Sequence, residues 1–124
     1  MDKNSSFTTL EVWKRSRELK IKIFELIKQF PNEEKYRLSD QIVRSARSIS
    51  ANIAEGHGRF SYKDQLHFCI ISRGSLTETR NHIIDAFDCK YISKQQLIEL
   101  EQDLNELHKL LNGYISFIRK NIIK

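Results

Sequence analysis

The run "LIELEQDLNELHKLLNGYISFI" (residues 97–118) decides the fold. Leu97, Leu100, Leu104, Leu107, Leu111, Tyr114 and Ile118 recur in steps of three and four, and Ile122 continues the series. That spacing places these residues on one face of an α-helix. Ser93, with Gln96 three residues later, supplies the N-terminal signal of a capping box. The same rhythm recurs upstream. Val12, Ser16, Leu19, Ile23, Leu26 and Phe30 form a first stripe, widened by Trp13, Phe24 and Ile27. Pro31 ends it, because proline lacks an N–H and disfavours the α conformation at the preceding residue. Leu38, Ile42, Ala46, Ile49 and Ile53 mark a second helix, with Gly56 placed to adopt a left-handed stop. Ser61 and Asp64 open a third, which runs ~42 Å at 1.5 Å per residue.

Four helices are therefore predicted, at about 8–29, 38–55, 61–90 and 93–121. With four glycines and one proline in 124 residues, tight turns are too scarce for a many-stranded sheet. Short connections make neighbouring helices antiparallel, so the expected fold is an all-α, up-down-up-down four-helix bundle forming a single domain over 1–124. No run approaches the ~18 apolar residues of a membrane span. The opening "MDKNSSFTTLEVWKRS" lacks the apolar run of a secretory signal. Cys69 and Cys89 have no CxxC spacing and read as reduced packing residues of a cytoplasmic protein.

Charge is uneven. The net value is +5, and "KRSRELKIK" (14–22) sets five cations against Glu18, whereas "ELEQDLNE" (99–106) is acidic throughout. A basic side and an acidic side permit an anionic partner and suit self-association. On the second helix Gln41, Ser45, Ser48, Asn52 and Glu55 form a polar flank beside the core face, while Arg44 and Arg47 point away beside Ser50, Ala51 and Ala54. The third helix carries "SRGSLTETRNH" (72–82), with Leu76 as its one clearly apolar residue. Arg73 and Arg80 fall on its apolar arc, where an unpaired guanidinium would cost several kcal/mol, so Glu55 is the expected partner of Arg73. Asn52, Glu55, Gly56, Arg73, Gly74, Ser75 and Glu78 then make a structural polar seam, with Gly74 admitting a neighbouring backbone. Two roles fit such a seam: hydrogen bonding between closely packed helices, or contact with a ligand or subunit.

The corner "EGHGRFSYK" (55–63) sets Arg59 and Lys63 at the start of the third helix, where free N–H groups favour an anion. It lacks the spacing of a phosphate-binding P-loop. Arg44, Arg47, Arg59 and Lys63 are the candidate nucleic-acid-binding residues. Trp13, Tyr36, Phe60 and Tyr62 have rings able to stack on unpaired bases, although Trp13 also fits the core. His57, His67, His82 and His108 show no metal-ligand spacing, and no cofactor is implied. The pairs Arg59/His67 and Arg73/His82 are wider apart than the Arg–His pair of HEPN-type helical ribonucleases, and no catalytic site is expected.

The blocks "FTTLEVWKRS", "FPNEEKYRLSDQIVRSARSISANIAEGHGRFS" and "SRGSLTE" resemble the small ribosomal-protein-like bundles encoded in 23S rRNA intervening sequences, over about residues 7–118. Related chains include the accessory variability determinants of diversity-generating retroelements. The resemblance implies a bacterial, cytoplasmic homopentameric ring. It also implies structured RNA or DNA as a partner for the retroelement members, acting with a reverse transcriptase. The family blocks fall on Asn52, Glu55, Gly56, Arg59, Gly74, Ser75 and Glu78. Ser50 stands where the family commonly has a proline that would kink the helix. Arg47 and Arg80 stand where members often carry a smaller or acidic residue. A scaffold that binds only protein is the alternative function.

Overall fold

The computed structural model of the protein describes residues 6–122. The remaining residues of the expected 1–124 domain lie outside the described residues. Four helices form: α1 (Glu11–Leu26), α2 (Leu38–His57), α3 (Tyr62–Asp88) and α4 (Lys94–Ile122). Short 3₁₀ turns at Phe7–Thr9, Ile27–Gln29 and Asn32–Glu34 flank α1 and lead into α2. Each helix packs on its sequence neighbours, and α4 closes back on α1. The result is an antiparallel up-down-up-down four-helix bundle with no strand among the described residues.

The core draws on most of the stripes that the sequence defines. Val12, Leu19 and Ile23 of α1, Ile42, Ile49 and Ile53 of α2, and Leu104, Leu107 and Leu111 of α4 are all buried. At the end of α4 the buried residues are Ile115 and Ile118, while Tyr114 is half-buried and Ile122 is exposed. A straight helix drifts about 20° per heptad, which moves the inward face from position 114 to 115. Trp13 is half-buried, edge-on to Phe7 at 5.1 Å. Cys69 is buried, and burial pushes its thiol up to about 11. Cys89 is exposed and is not a packing residue.

The ends of the helices show which local signals act. Ser61 Oγ accepts the Asp64 N–H at 3.1 Å. Ser93 and Gln96 form a reciprocal box: Ser93 Oγ accepts the Gln96 N–H at 3.1 Å, and Gln96 Oε1 accepts the Ser93 N–H at 2.8 Å. Past α3, the Tyr91 N–H reaches the Ala86 carbonyl and the Lys90 N–H reaches that of Phe87, both at 2.9 Å. This is a Schellman stop, and Lys90 holds its left-handed position at φ 65°. At the same end the α1–α2 connection is tied to the α3–α4 connection. Gln29 donates to the Tyr91 carbonyl at 2.8 Å, and the Tyr91 hydroxyl donates to Glu34 at 2.7 Å.

Two glycine expectations need correction. Gly56 does not end α2 in a left-handed conformation; the helix runs on to His57, and Gly58 caps it at φ −76°. Gly56 is instead buried at a close crossing, where an added Cβ would lie 3.0 Å from Phe68 Cβ and 3.2 Å from the Gln65 carbonyl. Gly74 shows the reverse: an added Cβ meets nothing within 4 Å, so no backbone of this chain approaches it. Helix α2 is also unbroken through buried Ser50, which retains the N–H that a proline would lack.

Gly56→Ala should lower the unfolding free energy by about 1–3 kcal/mol through overpacking against Phe68. Lys90→Gly should raise it by about 1 kcal/mol by relieving the left-handed residue. Urea denaturation of both variants checks the pair of opposite signs.

Candidate nucleic-acid interface

The surface that could meet a partner is set by how α2 and α3 join, the most extensive contact in the bundle. Their seam is a ladder of hydroxyls. Thr79 Oγ1 lies 2.8 Å from both Ser45 Oγ and the Ser75 carbonyl. Ser48 and Ser75 share a hydrogen bond of 2.7 Å, and Ser72 donates to the Ile49 carbonyl at 2.7 Å. Asn52 Nδ2 donates to the Ser48 carbonyl at 2.8 Å and to Ser48 Oγ at 2.9 Å. Thr79 and Ser72 are fully buried, and a hydroxyl there must be satisfied inside the protein.

Several residues assigned to this seam by sequence lie elsewhere. Glu55 is exposed and pairs with Arg59 at 2.8 Å, not with Arg73. Arg73 reaches Asn112 of α4 at 3.0 Å, and Arg80 pairs with Glu101 of α4 at 2.9 Å. Both guanidiniums lie at the α3–α4 rim and not among the apolar residues, because long basic side chains carry their charge outward past the core. Glu78 is exposed and meets His82 at 3.1 Å, and Gly74 is exposed. Conversely Ser72, Thr79 and Ser45 carry much of the ladder. Their signal in the sequence is the three–four spacing of small hydroxyl residues on α3 opposite Ser45 and Ser48.

With the ladder turned inward, the arginines of α2 face out. Arg44 is exposed and pairs with Asp40 one turn back at 3.0 Å. Arg47 lies over the Phe24 ring of α1, 5.3 Å from its centroid, and Arg17 lies over Trp13 at 5.7 Å. Among the described residues neither Arg17 nor Arg47 has a carboxylate within ion-pair distance, so the α1–α2 face keeps their charge uncompensated. On the opposite flank of α1, Arg15 pairs with Glu106 and Lys22 with Asp103 of α4. Hydrogen bonding to Asp103 raises the Lys22 pKa. The acidic stretch of α4 is thus partly neutralised by α1.

Arg59 and Lys63 stand apart from Arg44 and Arg47, at the α2–α3 corner. Arg59 is stacked over Phe68 at 4.7 Å in addition to its pairing with Glu55. Lys63 is exposed in the first turn of α3. The four candidate cations therefore form two groups and not one cluster. No group of three metal-ligating side chains gathers among the described residues. No helix there is long and apolar enough to cross a membrane.

This architecture matches a defined family. The profile described as 23S rRNA-intervening sequence protein covers residues 8–113. The chain belongs to that family. A crystal structure of a family-S23 ribosomal protein from Bacteroides thetaiotaomicron, of unknown function, is similar to it at a TM-score of 0.78. That protein is 32% identical, with 85% of this chain and 95% of that chain covered. No match exists among curated proteins.

Thr79→Val keeps the shape of the side chain but removes the hydroxyl that donates to Ser45 Oγ, which retains only its bond to the Ile42 carbonyl. A loss of about 1 kcal/mol is expected in urea unfolding, with helicity by circular dichroism unchanged.

Proposed function

We propose that this family member is a non-enzymatic, self-associating bundle that binds structured nucleic acid through its basic α1–α2 face. The observation that carries this reading is the uncompensated charge of Arg17 and Arg47, held on aromatic rings beside exposed Arg44. Guanidiniums held over rings are partly pre-ordered, and phosphates bind such arrays mainly by releasing counterions. A closed ring would present the face several times, turning modest single contacts into useful affinity. The pentameric cytoplasmic state implied by the resemblance fits this arrangement.

The outer face of α3 supports self-association. Between Lys63 and Asp85 it exposes Ile70, Ile71, Gly74 and Thr77, with Asp64 and Glu78 as its acidic groups. A mid-helix glycine costs about 1 kcal/mol against alanine, and nothing inside this chain accounts for Gly74. On this reading His67, edge-on to Phe68, and His82, paired with Glu78 on another part of α3, carry no catalytic role. A scaffold that binds protein alone is the competing reading, and the open α3 face is the feature that favours it.

Binding of a labelled RNA hairpin should weaken steeply between about 50 and about 200 mM salt. The Arg44→Ala/Arg47→Ala pair should reduce the slope of log K against log salt by about two. Affinity indifferent to salt would end the electrostatic reading. An assembled protein that ignores RNA and DNA at low salt would establish the scaffold instead. Gly74→Arg, which a single chain accommodates, should lower the mass measured by sedimentation.

A further inference from the structure

One end of the bundle carries a feature used by neither the hydroxyl ladder nor the α1–α2 face. Phe60, between α2 and α3, is fully exposed at 104%. Two residues on, Tyr62 is 39% exposed and meets Phe117 of α4 edge to face at 6.5 Å; Phe117 itself is 45% exposed. Tyr114 lies nearly parallel to Phe117, at 6.5 Å and 12°. The first turn of α3 and the end of α4 therefore carry partly exposed rings, and Phe60 lies two residues before Tyr62 in the chain.

Cations neighbour these rings along the chain. Lys63 follows Tyr62 and is exposed, and Lys120 is one turn beyond Phe117 on the same side of α4. Arg59 precedes Phe60 and is held by Phe68 and Glu55. Asp64 is the other acidic neighbour. Flat rings among lysines suit a ligand with alternating π faces and phosphates. Bases inside a duplex are stacked on one another and offer no free face, whereas unpaired bases can be splayed onto side-chain rings. The rings are interrupted by Ser61 and Lys63, so they lack the continuous apolar face of a helix that lies in a membrane surface.

We infer that this corner is a stacking site for unpaired bases of single-stranded nucleic acid. Phe60 is the inserting ring, Tyr62 and Phe117 form the second platform, and Lys63 and Lys120 take the adjoining phosphates. The assignment rests on the nucleic-acid reading above and deepens it: helical stretches lie along the α1–α2 face, and a loop or free end reaches the corner.

The test is fluorescence anisotropy of the intact protein at low salt with two probes, a uridine-rich single strand and a blunt RNA duplex. Phe60→Leu keeps the residue apolar and removes the ring. It should weaken single-strand binding about tenfold and leave duplex binding unchanged, while Phe60→Trp should retain the affinity. Because Phe60 touches no core, circular dichroism of both variants should match the parent. Equal single-strand binding by parent and Phe60→Leu, with duplex binding intact, overturns the stacking site and leaves the basic face standing. Failure of both probes to bind the parent overturns both readings. Co-sedimentation with phosphatidylglycerol vesicles that depends on Phe60, without RNA binding, assigns the corner to a lipid surface and overturns it too.

Discussion

The fold depends on how closely α2 can approach α3. Helix axes come near one another only where the facing side chains are small, and the facing residues here are Ser45, Ser48, Ser72, Ser75 and Gly56. Small size brings polarity with it, because the small residues at this contact are mostly hydroxyl-bearing. Each buried hydroxyl must find an acceptor, and the ladder from Thr79 to Asn52 supplies them, partly from main-chain carbonyls of the helices themselves. Packing and hydrogen bonding are one constraint at this seam. A larger side chain would part the helices, and an apolar one would strand its partner.

From this seam the rest of the molecule takes its orientation. With the serine flank of α2 committed to α3, its isoleucines point to the core and its arginines to the side shared with α1. α1 then places its other flank on α4, where lysine and arginine meet the acidic stretch. The separation of charge follows from helical phase, set by one hydroxyl-lined contact. Individual surface ion pairs contribute little to stability, so their arrangement matters more for what approaches the protein than for holding it together.

Helical periodicity made the four rods, their order and most of the core readable from the residues alone. The serine flank of α2 was readable as well, since Ser45, Ser48 and Asn52 share a face. What was hidden was the third dimension of long side chains. Arg73 and Arg80 fall on the apolar arc of a wheel drawn through Cα positions, yet their guanidiniums end at Asn112 and Glu101 on the rim. Gly56 looked like a stop because glycine often is one; its partner in space, Phe68, is twelve residues away and invisible to local pattern. The two groups of candidate cations looked like one because the turn after His57 is what divides them.

The placement of the two thiols has a practical side. Cys69 is sealed among core residues, and burial raises its pKa to about 11, so it is a poor nucleophile near neutrality. Cys89 is open to solvent just past the end of α3, while Tyr62 begins that helix 27 residues earlier. A maleimide dye would therefore attach at one defined point, ~40 Å along the rod from the aromatic corner. The native chain thus offers one donor point, from which energy transfer to an acceptor dye on a bound strand would report distance.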